Sequence, residues 1–199
     1  MSFRFLIIAL SILLTTNAYA LDEALIDLKY GPPANEPGKT IEDAKAVNCN
    51  VIVKKPMDIR LNKETLGANF RGHAIVSKQP VVDWLEESML NLRRVGLTAT
   101  SEFEGVQDPL ADATVLSMDL KKAYIWFHGL NMYATLVVTA RLQRGDRPEE
   151  IRHYRINGTK ANWATSNSEF VSTFNIAVHR LQDRLLSEVL KQCEPKNAL

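Results

Sequence analysis

Cysteine is scarce in this sequence, with only Cys49 and Cys193 among 199 residues. Neither belongs to a CxxC pair or lies near a histidine pair, so the common zinc ligand spacings are excluded. An excess of one charge is also missing, because 24 basic side chains face 23 acidic ones. A general footprint for nucleic acid, which needs a basic surplus or a clustered basic face, is therefore not expected. Past the N-terminus there is no long apolar run: residues 136–142 are of strand length and interrupted by Thr139 and Arg141, well short of the ~18 apolar residues of a membrane span. Glycine is sparse, and Gly67, Gly72 and Gly96 are too dispersed for a phosphate-cradling or dinucleotide loop. No serine sits in a GxSxG elbow. His73, His128, His153 and His179 show neither HxH nor HExxH spacing, and lone histidines of this kind are usually hydrogen-bonded or solvated. The nearest nucleophile set would be Ser117, His73 and Asp119. Asp108 and Asp112 supply two of the roughly six to eight oxygens calcium takes and read as a solvated turn. These absences predict a protein without catalysis, metal or cofactor.

What is present begins with a leader. Arg4 is followed by an apolar stretch over residues 5–14 and by Ala18-Tyr19-Ala20, the small-x-small pattern of a signal peptidase site. Leu21 stands where a lipid-anchored product would carry its acylated cysteine. The sequence thus predicts a signal peptide over 1–20 and a soluble periplasmic product with no stable membrane anchor. In that oxidising compartment Cys49 and Cys193 are expected to be bridged.

Residues 21–46 contain two proline-rich interruptions, Gly31-Pro32-Pro33 and Pro37-Gly38, and read as an extended arm and linker. Residues 47–193 read as one domain and 194–199 as a tail. Within the domain, Val51-Ile52-Val53 opens a strand that Pro56 confines to an edge or breaks, and residues 69–76 form a weaker strand. Pro80 opens a helix that Gly96 closes, with Val82, Leu85, Met89 and Leu92 on one stripe. Residues 97–103 read as a short strand. Residues 113–127 alternate with a change of phase near Lys121-Lys122, which predicts a bulge. His128-Gly129-Leu130-Asn131 is a hairpin turn, residues 132–143 alternate cleanly, and residues 151–163 complete a three-strand meander in which Gly158 marks a bulge or a close backbone approach. Ser166-x-x-Glu169 is a capping box that opens a helix running to about Gln192. The expected fold class is α+β, a largely antiparallel sheet with two amphipathic helices packed on one face.

One segment is unlike ordinary core. Tyr124-Ile125-Trp126-Phe127-His128, facing Met132-Tyr133 across the turn, is a strand tip with large apolar side chains on both faces, and one helix layer covers only one of them. Tyr124, Trp126, Phe127, His128 and Tyr133 are the candidate binding residues. The competing expectation is that the arm around residues 25–28 folds back over the tip. The pairs Arg93-Arg94 and Arg180-Arg184 share their helices with acidic residues and make weak candidates for lipid headgroups.

The order of elements resembles the YajG-like family of bacterial envelope lipoproteins, through Asp58-Ile59-Arg60 with Leu66-Gly67, the helix over 81–96 ending in Arg94-Val95-Gly96-Leu97, the meander over 115–156 and the closing helix from Ser166-Asn167 through Leu185. That resemblance implies an envelope-facing α+β module and carries over no catalytic residue. The layout also resembles auxiliary components of envelope transporters. The expected function is a secreted, non-catalytic binding or assembly module that recognises an envelope protein through its sheet edge and aromatic hairpin. The alternatives are an accessory to lipid or solute transport with ligand held between sheet and helices, and a hydrolase with a scattered site.

Overall fold

The computed structural model describes residues 23–32, 49–95, 97–102 and 113–194; the leader, residues 33–48, and the Asp108 and Asp112 pair lie outside the described residues. Among the described residues, eight strands and two α-helices follow in the order β1 (Ala24–Ile26), β2 (Asn50–Val53), β3 (Met57–Asp58), β4 (Ile75–Ser77), α1 (Val81–Leu90), β5 (Thr98–Ser101), β6 (Thr114–His128), β7 (Asn131–Arg144), β8 (Glu150–Ala161) and α2 (Asn167–Cys193), with a 3₁₀ turn Asn91–Val95 after α1. The α+β class expected from the sequence is the one observed.

The main sheet runs β5-β2-β6-β7-β8. β6, β7 and β8 form the antiparallel meander, and the register of β6 on β7 shifts between Leu120 and Lys122, at the bulge that the change of phase predicts. β2 departs from the antiparallel pattern, lying parallel to both β5 and β6. Pro56 separates β2 from β3, which also pairs with β6 in parallel. The weak strand expected over residues 69–76 is shorter and later, because Asn69 accepts the N–H groups of Arg71 and His73 in a turn, Ala74 makes a single bridge to Ala68, and the strand runs from Ile75. Its partner is the arm, as β1 and β4 form a separate parallel pair.

Both helices bury their stripes on one sheet face, where Trp84, Leu85, Met89, Phe170, Phe174, Ala177, Leu181 and Leu185 join Met132, Ala134, Leu136, Val138, Ala140 and Leu142 in a single core. α2 begins at the capping box: Ser166 Oγ accepts the Glu169 N–H while the Glu169 carboxylate accepts the Ser166 N–H. Gly158 lets the helix backbone close on β8, since a Cβ there would stand 2.2 Å from the Thr173 carbonyl oxygen. At the far end Cys49 and Cys193 are disulfide-bonded, with Cα atoms 5.5 Å apart.

The arm is clipped along α2. Side chains of Asn167, Asn175 and His179 donate to the carbonyls of Leu25, Lys29 and Gly31 at 2.9, 3.1 and 2.9 Å. A helix rises about 1.5 Å and a strand about 3.3 Å per residue, so four helical residues match two extended ones and the ladder stays in step. Asn175 also accepts the Trp84 indole N–H at 3.1 Å, which ties arm, α1 and α2 at one point.

Candidate functional site

Alternation along β6 and β7 sorts the candidate residues. Tyr124, Trp126 and Tyr133 project from the sheet face away from the helices, on rows that continue to Asn157 and Thr159 of β8. Trp126 and Tyr133 are opposite each other in register and stack with ring centroids 4.3 Å apart and planes 15° apart. The Trp126 indole donates to Thr135 Oγ at 3.0 Å, and the Thr135 hydroxyl donates to Asn157 Oδ1 at 2.7 Å. Indole, hydroxyl and amide thus cross three strands and fix the orientation of the aromatic pair. Trp126 remains 39% exposed, and Tyr124 and Tyr133 are half-buried.

Phe127 is not part of that face. It points to the helix side, where Phe70 lies at 4.2 Å and Phe170 meets it edge-on at 6.4 Å. The tip is therefore covered on one side, as one helix layer predicts, but the cover comes from Phe70 and Phe170. The arm runs alongside α2, with Ile26 and Leu28 fully buried in the same core against which Phe127 packs. His128 lies exposed at the turn, where Gly129 takes φ +56°.

The residues that would carry chemistry are dispersed. Ser117 and Asp119 sit in the first half of β6, with Asp119 held by Arg141 at 2.5 Å. His73 sits by the bridge of Gly67 to Ile125, eight residues along β6 from Ser117, or roughly 25 Å at strand rise. His153 bonds Thr139 at 2.9 Å and His179 bonds the arm. The layer between sheet and helices is lined by fully buried apolar side chains. A hollow of about 660 Å³ lies outside that layer, between arm and α2, lined by Leu25, Pro32, Asn167, Val171, Asn175 and His179.

Among the described residues, Arg60 is a buried cation. Its guanidinium engages both carboxylate oxygens of Asp58 at 2.9 and 2.8 Å and the Lys63 carbonyl at 3.1 Å. Burial raises the Asp58 carboxyl pKa, but the Arg60 contacts outweigh it and hold the group below its ordinary range. The motif Asp58-Ile59-Arg60 thus reads as a clamp on the loop after β3.

Sequence reasoning missed the exposed apolar side chains around the hairpin. Phe70, Leu130 and Trp163 are solvent-facing on three different loops that meet at that end of the sheet. Each is one isolated apolar residue in a polar turn, and only the tertiary fold brings them together.

No family model matches the chain, and no curated protein matches it. Among solved structures, a Xanthomonas campestris protein of the DUF330 family superposes with a TM-score of 0.54 at 15% identity, covering 84% of this chain and 94% of that one. A minor lipoprotein from Acinetobacter baumannii matches at TM-score 0.43 and 14% identity, over 73% of this chain and 92% of that one. The fold of this chain is similar to that of the Xanthomonas protein.

Proposed function

We propose that the protein is a periplasmic, non-catalytic binding or assembly module of the bacterial envelope, allied to the YajG-like lipoproteins but without their acylated cysteine. In this reading it docks an envelope protein partner through the open face of the meander. The carrying observation is the Trp126–Tyr133 stack, anchored by Thr135 and Asn157 on a sheet face that neither helix covers. A soluble domain rarely leaves anchored aromatic area open without use, and Trp and Tyr are the residue types that concentrate at protein contacts. β8 supports the reading: it is 12 residues long and among the described strands pairs only with β7, so its outer edge can accept a partner strand. Arg152, His153, Arg155 and Lys160 along it oppose pairing with a second copy.

The test is capture in the periplasm. With Trp126→Ser and Tyr133→Ser combined, crosslinking to the partner is expected to disappear while the circular dichroism spectrum stays that of the wild type. Undiminished capture by the folded double variant would remove the open face from the reading.

A further inference from the structure

We propose that the end of the molecule formed by residues 69–73, 128–131 and 162–166 is a second surface, which seats on the interfacial layer of an anionic phospholipid bilayer with Phe70, Leu130 and Trp163 entering it. The three loops are neighbours although distant in sequence. Phe70 packs on Phe127 one residue before the hairpin turn, and the Asn162 N–H donates to the Leu130 carbonyl at 2.8 Å. From them Trp163, Leu130 and Phe70 project 85%, 77% and 55% exposed. These are the side chains that water solvates least well, and an indole is at home at the depth of lipid headgroups.

The loops that carry these side chains are closed by hydrogen bonds and a glycine turn. Asn162 Oδ1 accepts the Thr165 N–H, and the Glu169 carboxylate accepts the N–H groups of Trp163, Ala164 and Ser166. Gly129 holds the hairpin turn at φ +56°, and Asn69 closes its own loop through Arg71 and His73.

The charge around these tips favours a lipid of negative sign. The three loops contain no carboxylate and carry the exposed Arg71. Glu169, directly behind them, is buried and engaged by backbone N–H groups; Glu23, exposed just ahead of β1, is the carboxylate on the flank. A cation set beside apolar tips is what an anionic bilayer surface recognises.

This surface is distinct from the Trp126–Tyr133 face, and the test separates them. Protein processed after Ala20 is mixed with sedimentable vesicles of phosphatidylethanolamine and phosphatidylglycerol, and with vesicles of phosphatidylcholine alone. Expected are association with the anionic vesicles, a blue shift of tryptophan emission that is absent in Trp163→Phe, and at least tenfold weaker association for Leu130→Ser combined with Trp163→Ser. Trp126→Ser with Tyr133→Ser is expected to bind vesicles as the wild type does. Failure to associate with either vesicle, equal association with both, or unchanged association of the folded Leu130/Trp163 variant would overturn the proposal. So would a Leu130/Trp163 variant that keeps vesicle binding but loses a protein partner, since the end would then be a protein contact.

Discussion

At the scale of single residues, the fold depends on two positions that the sequence marks for different reasons. Gly158 faces the α2 backbone, and an added Cβ would lie 2.2 Å from the Thr173 carbonyl oxygen and 2.7 Å from the Ala177 nitrogen, neither of which can move without the helix. Gly158→Ala is expected to destabilise the protein by about 2–3 kcal/mol in chemical denaturation, the range of overpacked cores. Gly129→Ala, with open space around its Cβ, is expected to lose only about 1 kcal/mol from its left-handed backbone. Equal losses at the two sites would mean that helix–strand contact at Gly158 is looser than described. Glu169 is the second position. Its carboxyl pKa is lowered because the Ser166 and Trp163 N–H groups stabilise the anion, with Ala164 adding to them against the effect of burial. A group depressed on folding contributes stability that is complete above its unfolded pKa and is lost as pH falls through the folded one. The advantage of the wild type over Glu169→Gln is therefore expected to hold at pH 7 and to shrink steadily below the ordinary carboxylate range. Denaturation midpoints of both proteins from pH 7 to pH 3 measure this, and a constant difference would show that the cap does not act through its charge.

Among the described elements, β7 is a long strand paired along its length with β6 on one side and β8 on the other and covered by α2. Its amides are expected to exchange most slowly with deuterium, and those of β1 and β4, a three-residue pair outside the main sheet, fastest among the strands. Fast exchange in β7 would mean that the meander opens independently of the helices. The same contrast explains what could be read in advance. The meander, its bulge at Lys121-Lys122, the Gly129 turn and the Ser166 cap are written locally, as alternation, a shift of phase, a left-handed residue and a fixed i to i+3 pair. The parallel neighbours of β2 are not, because parallel partners are chosen by packing between segments far apart in the chain. The arm reads as merely extended because its partners, Asn167, Asn175 and His179, look like ordinary surface polarity on a helix until a second segment lies across them. At the candidate site, parity alone separates Tyr124, Trp126 and Tyr133 from Phe127. The convergence of Phe70, Leu130 and Trp163 needs three loops placed by the whole fold.

Across the whole molecule, the disulfide and the proposed contact surfaces lie at opposite ends. The Cys49–Cys193 bridge joins the start of β2 to the end of α2, a sequence separation of 144 residues, beside Thr114 at the first residue of β6. The hairpin turn follows His128, the last residue of that strand, which at strand rise is roughly 45 Å away. Closing so long a loop restricts the unfolded chain strongly, and the chain-entropy model values it at about 5 kcal/mol. Reduction, or Cys49→Ser with Cys193→Ser, is therefore expected to lower the stability of the folded protein by several kcal/mol and to shift its melting temperature down. Because the bridge acts on the unfolded ensemble and sits far from the aromatic face, partner capture at a temperature below the new midpoint is expected to be unchanged. A melting temperature insensitive to reductant would show that the bridge does not constrain the unfolded chain. Loss of capture by the reduced but still folded protein would show instead that the bridge sets the geometry of the meander along its full length.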